Sequence, residues 1–199
     1  MMVRETEVAI DGLPGGFDGL KIVQITDVHI GNIDGVREYF DSIIEISNSY
    51  NPDIVMLTGD LINIDASEAE GTEGALNGFT ANIGKYAVLG NHDYGKYCKW
   101  DSAQDSIDNL EAVKNIYRNF DFDLLLNENR VLARGEDTLV IAGMENCGEE
   151  PFPCYGDMDA SLSGVEDKPV LLLSHDPSTW KTKILDYKNV LMTFSGHTH

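Results

Sequence analysis

The chain has 199 residues, of which 42% are hydrophobic and 24% are charged, so it is long and apolar enough for a single domain with a buried core. Lys plus Arg total 14 and Asp plus Glu total 34, which gives a formal net charge of −20. Because this charge repels a phosphate backbone, it disfavours nucleic acid as a partner, and an anionic substrate would need bound cations.

Strand-length apolar runs rich in Val, Ile and Leu recur along the chain and alternate with helical patterns. The predicted strands are residues 21–26, 53–58, 85–89, 138–143, 169–174 and 190–195, and the predicted helices are residues 35–50 and 102–120. This alternation favours an α/β fold. Residues 123–126 and 130–133 are predicted to add strands to a second sheet, each as an edge strand or part of a hairpin.

The segments outside these elements carry weaker signals. The acidic stretch 65–73 and residues 149–154 are predicted to be solvated connections. Cys98, Cys147 and Cys154 are too few and too irregularly spaced for a disulfide framework, so we interpret them as packing residues or incidental thiols in a reduced compartment. No apolar run has the length of a membrane span and residues 1–5 lack a signal-peptide pattern, which predicts a cytoplasmic location for the chain as given.

Side chains that bind metals or move protons follow five of the six predicted strands directly. They are Asp27 and His29, Asp60, Asn91 and His92, His175, and His197 and His199. Since the carboxyl ends of strands in an open α/β sheet share one crevice, these side chains are expected to converge.

Each motif alone is more simply explained as a turn residue or a hydrogen-bonded buried histidine. However, all five histidines of the chain lie in these segments. Imidazole, carboxylate and amide ligands without thiolates suit Mn²⁺, Fe²⁺ or Zn²⁺. Eight candidates exceed the needs of one ion, which predicts two ions about 3.5 to 4 Å apart that share a carboxylate.

The order Asp-x-His, Gly-Asp, Gly-Asn-His-Asp, His and Gly-His-Thr-His over residues 27–199 resembles that of the calcineurin-like metallophosphoesterases. Residues 19–27 and 89–95 are most similar to the bacterial YkuE-like branch. The resemblance implies a four-layer α/β/β/α sandwich of the metallo-dependent phosphatase type. Residues 1–199 would form a single metallophosphoesterase domain that lacks its last strands, because the chain ends at the Gly-His-Thr-His motif.

The resemblance also implies a dimetal centre, with Mn²⁺ the favoured ion and Fe²⁺ or Zn²⁺ the other candidates. The implied ligands are Asp27, His29 and His199 for one ion, Asn91, His175 and His197 for the other, and Asp60 for both. His92 is implied to be catalytic, beside the substrate, where it stabilises phosphoryl oxygens or protonates the leaving group.

The activity implied is hydrolysis of a phosphomonoester, phosphodiester or pyrophosphate by a metal-bridging hydroxide. The substrate would be a phosphorylated small molecule or lipid, and by analogy with the branch the full-length protein would associate with a membrane.

Two departures from the family pattern bear on these expectations. Asn63 stands where many relatives have an Asp that orients the catalytic histidine, so Asn63 or Asp93 would have to orient His92. The second departure is the position of His199 at the end of the chain, where it would need to be tied down to hold a metal. Tyr94, Tyr97 and Trp100 follow the Gly-Asn-His-Asp motif, and packing in a lid is favoured over contact with a substrate.

Two other interpretations remain at this point. One is a non-catalytic metal- or phosphate-binding module derived from this enzyme family. The other is a metal-independent scaffold in which the histidines are structural.

Overall fold

The computed structural model describes residues 3–72, 76–148 and 153–198, and in these residues two four-stranded sheets are present. The first sheet is parallel throughout, in the order β1 (Ile22–Ile25), β2 (Ile54–Leu57), β3 (Gly84–Ala87) and β4 (Asp123–Leu124). The second has the order β5 (Glu128–Arg134), β6 (Asp137–Met144), β7 (Val170–Ser174) and β8 (Val190–Phe194), with only β5 antiparallel to its neighbour.

All six predicted strands are confirmed. The placement of residues 123–126 in a second sheet is wrong, because β4 pairs with β3 at the edge of the first sheet. Residues 130–133 lie in β5, which forms the predicted hairpin with β6 at the edge of the second sheet.

The two predicted helices are also confirmed, as α1 (Val36–Ser49) and α2 (Ala103–Asn119). Helix α2 begins with a capping box, in which the Ser102 side chain accepts the Asp105 N–H and the Asp105 side chain accepts the Ser102 N–H. A short helix α3 (Met158–Ser161) and a π-helix over Trp180–Ile184 lie between strands of the second sheet.

Three apolar clusters hold four layers together. The cluster between the sheets includes Met56 of β2, Ile141 of β6 and Leu173 of β7. A second cluster packs α1 and α2 on the outer face of the first sheet, and a third packs α3 and Ile184 on the outer face of the second. The fold is therefore the predicted α/β/β/α arrangement.

Polar contacts join the two sheets near the carboxyl ends of their strands. Gln24 donates from Nε2 to Thr58 Oγ1 and to the Ser195 carbonyl, both at 2.8 Å. The Gly196 N–H donates to the His175 carbonyl at 2.9 Å. These bonds hold β1 and the segments after β2, β7 and β8 against one another.

The interpretation of two cysteines is wrong. Cys147 and Cys154 form an isolated antiparallel bridge that brings their sulfurs into a disulfide, while Cys98 is free. This pairing contradicts their interpretation as incidental thiols and removes the support they gave to a reduced compartment.

Two other expectations fall partly outside the described residues. Glu73 and residues 149–152 are among those not described. Within the rest of the acidic stretch, the half-buried Glu68 carboxylate accepts three backbone N–H groups, unlike a side chain in a solvated connection. Across the described ranges, no helix is long and apolar enough to cross a membrane.

Candidate metal centre

Seven of the eight predicted site residues lie in loops that follow the carboxyl ends of β1, β2, β3, β7 and β8. They are Asp27, His29, Asp60, Asn91, His92, His175 and His197, whereas His199 lies outside the described residues. Four of these seven residues have positive φ angles, namely Asp27, His29, Asp60 and His197, with φ between 48° and 72°. Such angles are uncommon outside glycine and cluster at functional sites.

Asp60 lies at the middle of the site and is 2% exposed. Its Oδ1 accepts the His92 N–H at 2.9 Å, and its Oδ2 lies 3.2 Å from His175 Nε2 and 3.8 Å from His29 Nε2. Burial opposes ionisation of Asp60, but the hydrogen bond and charge of His175 and the His92 N–H outweigh it, so the pKa of Asp60 is lowered.

One group of ligand atoms, here called the His175 side, comprises Asp60, Asn91, His175 and His197. Asn91 Oδ1 lies 3.1 Å from His175 Nε2 and 2.8 Å from His197 Nδ1. Asp60, His175 and His197 each offer a ligand atom within 4.8 Å of the others. His175 is fully buried, and its Nδ1 donates to the Thr58 carbonyl at 2.7 Å, which leaves Nε2 for the site.

A second group, here called the His92 side, comprises His29, Asp60 and His92. These residues also offer ligand atoms within 4.8 Å of one another, and the rings of His29 and His92 meet edge to face at 4.7 Å between centroids. His92 Nδ1 donates to the Asn63 carbonyl at 2.7 Å, so Nε2 is the ring atom left to act in the site. Asp60 is the residue common to both groups.

Asp27 connects the loop after β1 to the loop after β8. Its carboxylate accepts the His197 N–H at 2.9 and 3.0 Å and the Thr26 hydroxyl at 2.6 Å. A Cβ at Gly196 would collide with the Thr26 hydroxyl and the Asp27 carboxylate, so the glycine of this motif permits the close approach.

His92 is oriented differently from either expectation. The main-chain carbonyl of Asn63 accepts its Nδ1–H, so the side chain at position 63 is not what orients the ring. Asp93 is fully buried and accepts hydrogen bonds from other groups. Its donors are the N–H groups of Asp60, Leu61, Ile62 and Gly90 and the hydroxyl of Tyr117, at 2.8 to 3.3 Å.

Burial and the nearby charge of Asp60 raise the pKa of Asp93 to about 6, so at neutral pH it is an ionised acceptor that fastens the loop after β2 to the loop after β3.

The donor set of the His175 side fits a divalent cation. Asp60 Oδ2, Asn91 Oδ1, His175 Nε2 and His197 Nδ1 converge, and each can offer a lone pair to a cation when the two rings are neutral and carry their protons on the other nitrogen. Acceptor atoms that face one another are stable only when protons or a cation lie between them. In agreement with this, the pKa of His175 is raised, because the hydrogen bond and charge of Asp60 and the Thr58 carbonyl outweigh burial, which favours the neutral ring.

Three residues near the site carried little or no signal in the sequence. Tyr97 accepts a hydrogen bond from Asn91 Nδ2 at 2.7 Å and stacks on the His92 ring at 4.2 Å. The Asp176 Oδ2 lies 3.9 Å from His197 Nε2, where a carboxylate can orient a metal-binding imidazole. Glu68 holds the segment that contacts His92. Only Tyr97 was marked by its position, just after the Gly-Asn-His-Asp motif.

The family model of the calcineurin-like phosphoesterases matches residues 20–199. The chain belongs to the calcineurin-like phosphoesterase family. This confirms the resemblance read from the five motifs, and the predicted enzyme class, a metal-dependent phosphoesterase, agrees with the family. The family uses divalent metals, consistent with the two groups of candidate ligands around Asp60.

Relatives in this family match nearly the whole chain at low identity. The transmembrane protein with metallophosphoesterase domain of Danio rerio is 27% identical over 99% of this chain and 44% of its own length. The uncharacterized metallophosphoesterase YkuE of Bacillus subtilis is 29% identical over 100% of this chain and 65% of its own. The UDP-2,3-diacylglucosamine pyrophosphatase LpxG of Chlamydia trachomatis is 28% identical over 91% and 64%. The chain thus spans less than two thirds of the length of each.

Among solved structures, the NAD nucleotidase NadN of Haemophilus influenzae has a similar fold, with a TM-score of 0.55 at 15% identity. The match covers 90% of this chain and 38% of NadN. It supports the fold of this calcineurin-like chain and carries no information on its substrate.

Proposed function

We propose that this chain hydrolyses phosphate esters with the help of two divalent metal ions, Mn²⁺ being the favoured ion. The observation that carries the proposal is the position of the Asp60 carboxylate, whose Oδ2 lies 3.2 Å from His175 Nε2 on one side and 3.8 Å from His29 Nε2 on the other. A shared carboxylate between two sets of imidazole and amide ligands is typical of dimetal hydrolases.

The proposed ligands follow the predicted division. Asn91, His175 and His197 would hold one ion, Asp27, His29 and His199 the other, and Asp60 both. When bound, such ions supply Lewis acidity toward the phosphoryl oxygens and lower the pKa of water. The ions would also offset the repulsion between a phosphate ester and a chain of net charge −20.

His92 is the proposed general acid. Its Nδ1 is engaged with the Asn63 carbonyl, so its Nε2 is the atom that holds or moves the proton delivered to the leaving oxygen. The stacked ring of Tyr97 and the edge contact with His29 limit rotation of the imidazole. An oriented imidazole favours catalysis over a non-catalytic binding module.

The proposed substrate is a phosphomonoester, phosphodiester or pyrophosphate of a small molecule or lipid. The relative LpxG is named as a pyrophosphatase of UDP-2,3-diacylglucosamine, which supports including a nucleotide-linked pyrophosphate among the substrates tested.

The test compares chelator-treated and Mn²⁺-reconstituted protein on chromogenic phosphomonoesters, phosphodiesters and a pyrophosphate, together with metal content. Asp60→Asn should lose both turnover and bound metal. His92→Ala should keep two ions per chain while turnover falls roughly 10²- to 10⁴-fold, the usual contribution of a general acid. Asp41→Asn, an exposed carboxylate of α1, is the matched control and should behave as wild type.

Two results would refute parts of this proposal. Wild-type protein with two bound ions and no turnover on any ester would identify a binding module. Loss of one ion in His92→Ala would make His92 a metal ligand rather than the acid.

A further inference from the structure

The peptide group between Asn63 and Ile64 lies between His92 and a carboxylate. On one side, its carbonyl accepts the His92 Nδ1–H at 2.7 Å. On the other, its N–H, which belongs to Ile64, donates to Glu68 Oε1 at 2.8 Å. A peptide N–H that donates to a carboxylate makes the carbonyl of the same group a stronger acceptor.

Glu68 makes two further bonds that fix its carboxylate. Its Oε2 accepts the Asn63 N–H at 2.6 Å and the Gly31 N–H at 3.2 Å. Three backbone donors therefore converge on a single carboxylate, and they come from the loop after His29 as well as from the loop after Asp60.

The surrounding chain is built to place Glu68 there. Glu68 lies in a short 3-10 turn (Ala66–Ala69) whose first residues are capped by the Asp65 side chain. The Ala66 N–H donates to Oδ1 of Asn109, a buried residue of α2, at 2.8 Å. At Gly31, a Cβ would lie 2.5 to 2.7 Å from the two carboxylate oxygens of Glu68, so a residue without a side chain is required for the approach.

We propose that Glu68 is the positioning residue for His92, acting through the Asn63–Ile64 peptide group. The Asn63 side chain has no negative charge with which to orient His92. Glu68 supplies that charge from the far side of the peptide group whose carbonyl binds His92. This inference rests on the proposed role of His92 as general acid, and Glu68 is not among the proposed metal ligands.

Two variants test this role by different means. Glu68→Gln removes the charge and one of two acceptor oxygens, and so turns an amide N–H toward a backbone donor. Gly31→Ala keeps the charge but displaces the carboxylate by contact with the new Cβ. Glu70→Gln removes the same charge from an exposed position in the same loop and is the matched control.

The first readout is independent of turnover. In metal-free protein labelled with ¹⁵N at histidine, the His92 Nδ1–H resonance is assigned by its absence in His92→Ala, which is practical because the chain has five histidines. We expect this resonance to shift or broaden in Glu68→Gln and Gly31→Ala and to stay at its wild-type position in Glu70→Gln.

The second readout is the dependence of kcat on the leaving group in Mn²⁺-loaded protein. A general acid matters most when the leaving oxygen is basic. Glu68→Gln should therefore lower kcat roughly tenfold for an alkyl phosphate and less than about twofold for a nitrophenyl phosphate, with KM within about twofold and metal content unchanged.

An unchanged His92 resonance in both Glu68→Gln and Gly31→Ala would overturn the proposal, whatever the turnover. In an active wild type, a shifted resonance with an unaltered leaving-group dependence would overturn it as well. If wild-type protein hydrolyses no ester, the proposed function fails, and the resonance alone then decides whether Glu68 positions His92.

Discussion

The two sides of the site orient their histidines with the same bond but support that bond differently. His175 and His92 each donate from Nδ1 to a backbone carbonyl at 2.7 Å. The acceptor of His175 is Thr58, which directly follows β2 and donates its own N–H to the Ile25 carbonyl of the neighbouring strand. The acceptor of His92 is Asn63, in a loop that Glu68 holds.

This difference shows what each kind of support requires. Parallel pairing of β1 with β2 fixes the Thr58 carbonyl without any charged side chain. The Asn63 carbonyl lies in a loop without a partner strand, and here a side chain, Glu68, binds the N–H groups on either side of it. Three kinds of variant should therefore have separable effects. The first removes the carboxylate that fastens the loops after β2 and β3, the second crowds the His175 side, and the third removes one contact of a ligand.

Asp93→Asn should have the largest effect on stability, because Asp93 fastens the loops that carry both sides of the site. The Asp93 carboxylate accepts five hydrogen bonds, and the NH₂ group of an asparagine would face some of those donors without being able to accept from them. We expect the free energy of unfolding to fall by about 3 kcal/mol, as for loss of buried hydrogen bonds to a charged group. Urea denaturation measures this loss.

Tyr117→Phe is the control for Asp93→Asn, since it removes only the hydroxyl that donates to Asp93 at 2.9 Å. Its cost should be about 1 kcal/mol. If Asp93→Asn were no more costly than Tyr117→Phe, the two loops would not depend on the carboxylate.

Gly59→Ala should disrupt the His175 side more than the His92 side. Gly59 has a φ of +98°, and a Cβ there would lie 2.5 Å from the Gly90 nitrogen and 2.7 Å from His175 Nδ1. We expect a loss of about 2 kcal/mol in unfolding free energy and a fall from two bound Mn²⁺ ions to one, measured by denaturation and by elemental analysis.

Gly71→Ala is the control for Gly59→Ala, because it introduces the same kind of backbone strain without a collision between the new Cβ and neighbouring atoms. Gly71 also has a positive φ, +81°, but no atom lies within 4 Å of the Cβ position. Its cost should be about 1 kcal/mol with both ions retained. Retention of both ions in Gly59→Ala would show that the ligands of the His175 side tolerate displacement of the ring.

Tyr97→Phe should have the smallest effect, because it changes only the contact of one proposed metal ligand, Asn91. The variant keeps the ring stacked on His92 but removes the hydroxyl that accepts from Asn91 Nδ2. We expect the Kd for Mn²⁺ on the His175 side to rise about fivefold, as for one hydrogen bond of about 1 kcal/mol, with stability unchanged.

Isothermal titration measures this change in affinity, and Tyr94→Phe is a comparison variant whose hydroxyl donates instead to Glu145. An equal rise in Kd for Tyr94→Phe would place the effect in the loop as a whole rather than in the contact with Asn91.

The sequence predicts the strands and the positions of the seven described site residues well, because both are local. Each strand is an apolar run, and each site residue directly follows one of these runs. In contrast, Glu68 looks like any acidic loop residue, since its role depends on N–H groups that only the folded chain brings to it. The acceptor of His92 is a main-chain carbonyl, which has no signature in the residue type at position 63.

Pairings between distant or irregular segments were missed for a related reason. Cys147 and Cys154 are seven residues apart, and only the antiparallel bridge between them brings the sulfurs together. The two-residue strand β4 is too short for its composition to identify which sheet it joins. Both features depend on tertiary placement, which residue spacing does not encode.

The bond between the His197 N–H and Asp27 joins positions 170 residues apart. During synthesis on the ribosome, residues of β1 to β4 emerge as one continuous stretch and can pair while the second sheet is still incomplete. The site cannot close until β8 has docked and brought His197 to Asp27. On the proposed division of ligands, the His175 side therefore lacks His197 until β8 has docked, and full affinity for a metal ion is expected only once the chain has folded through β8.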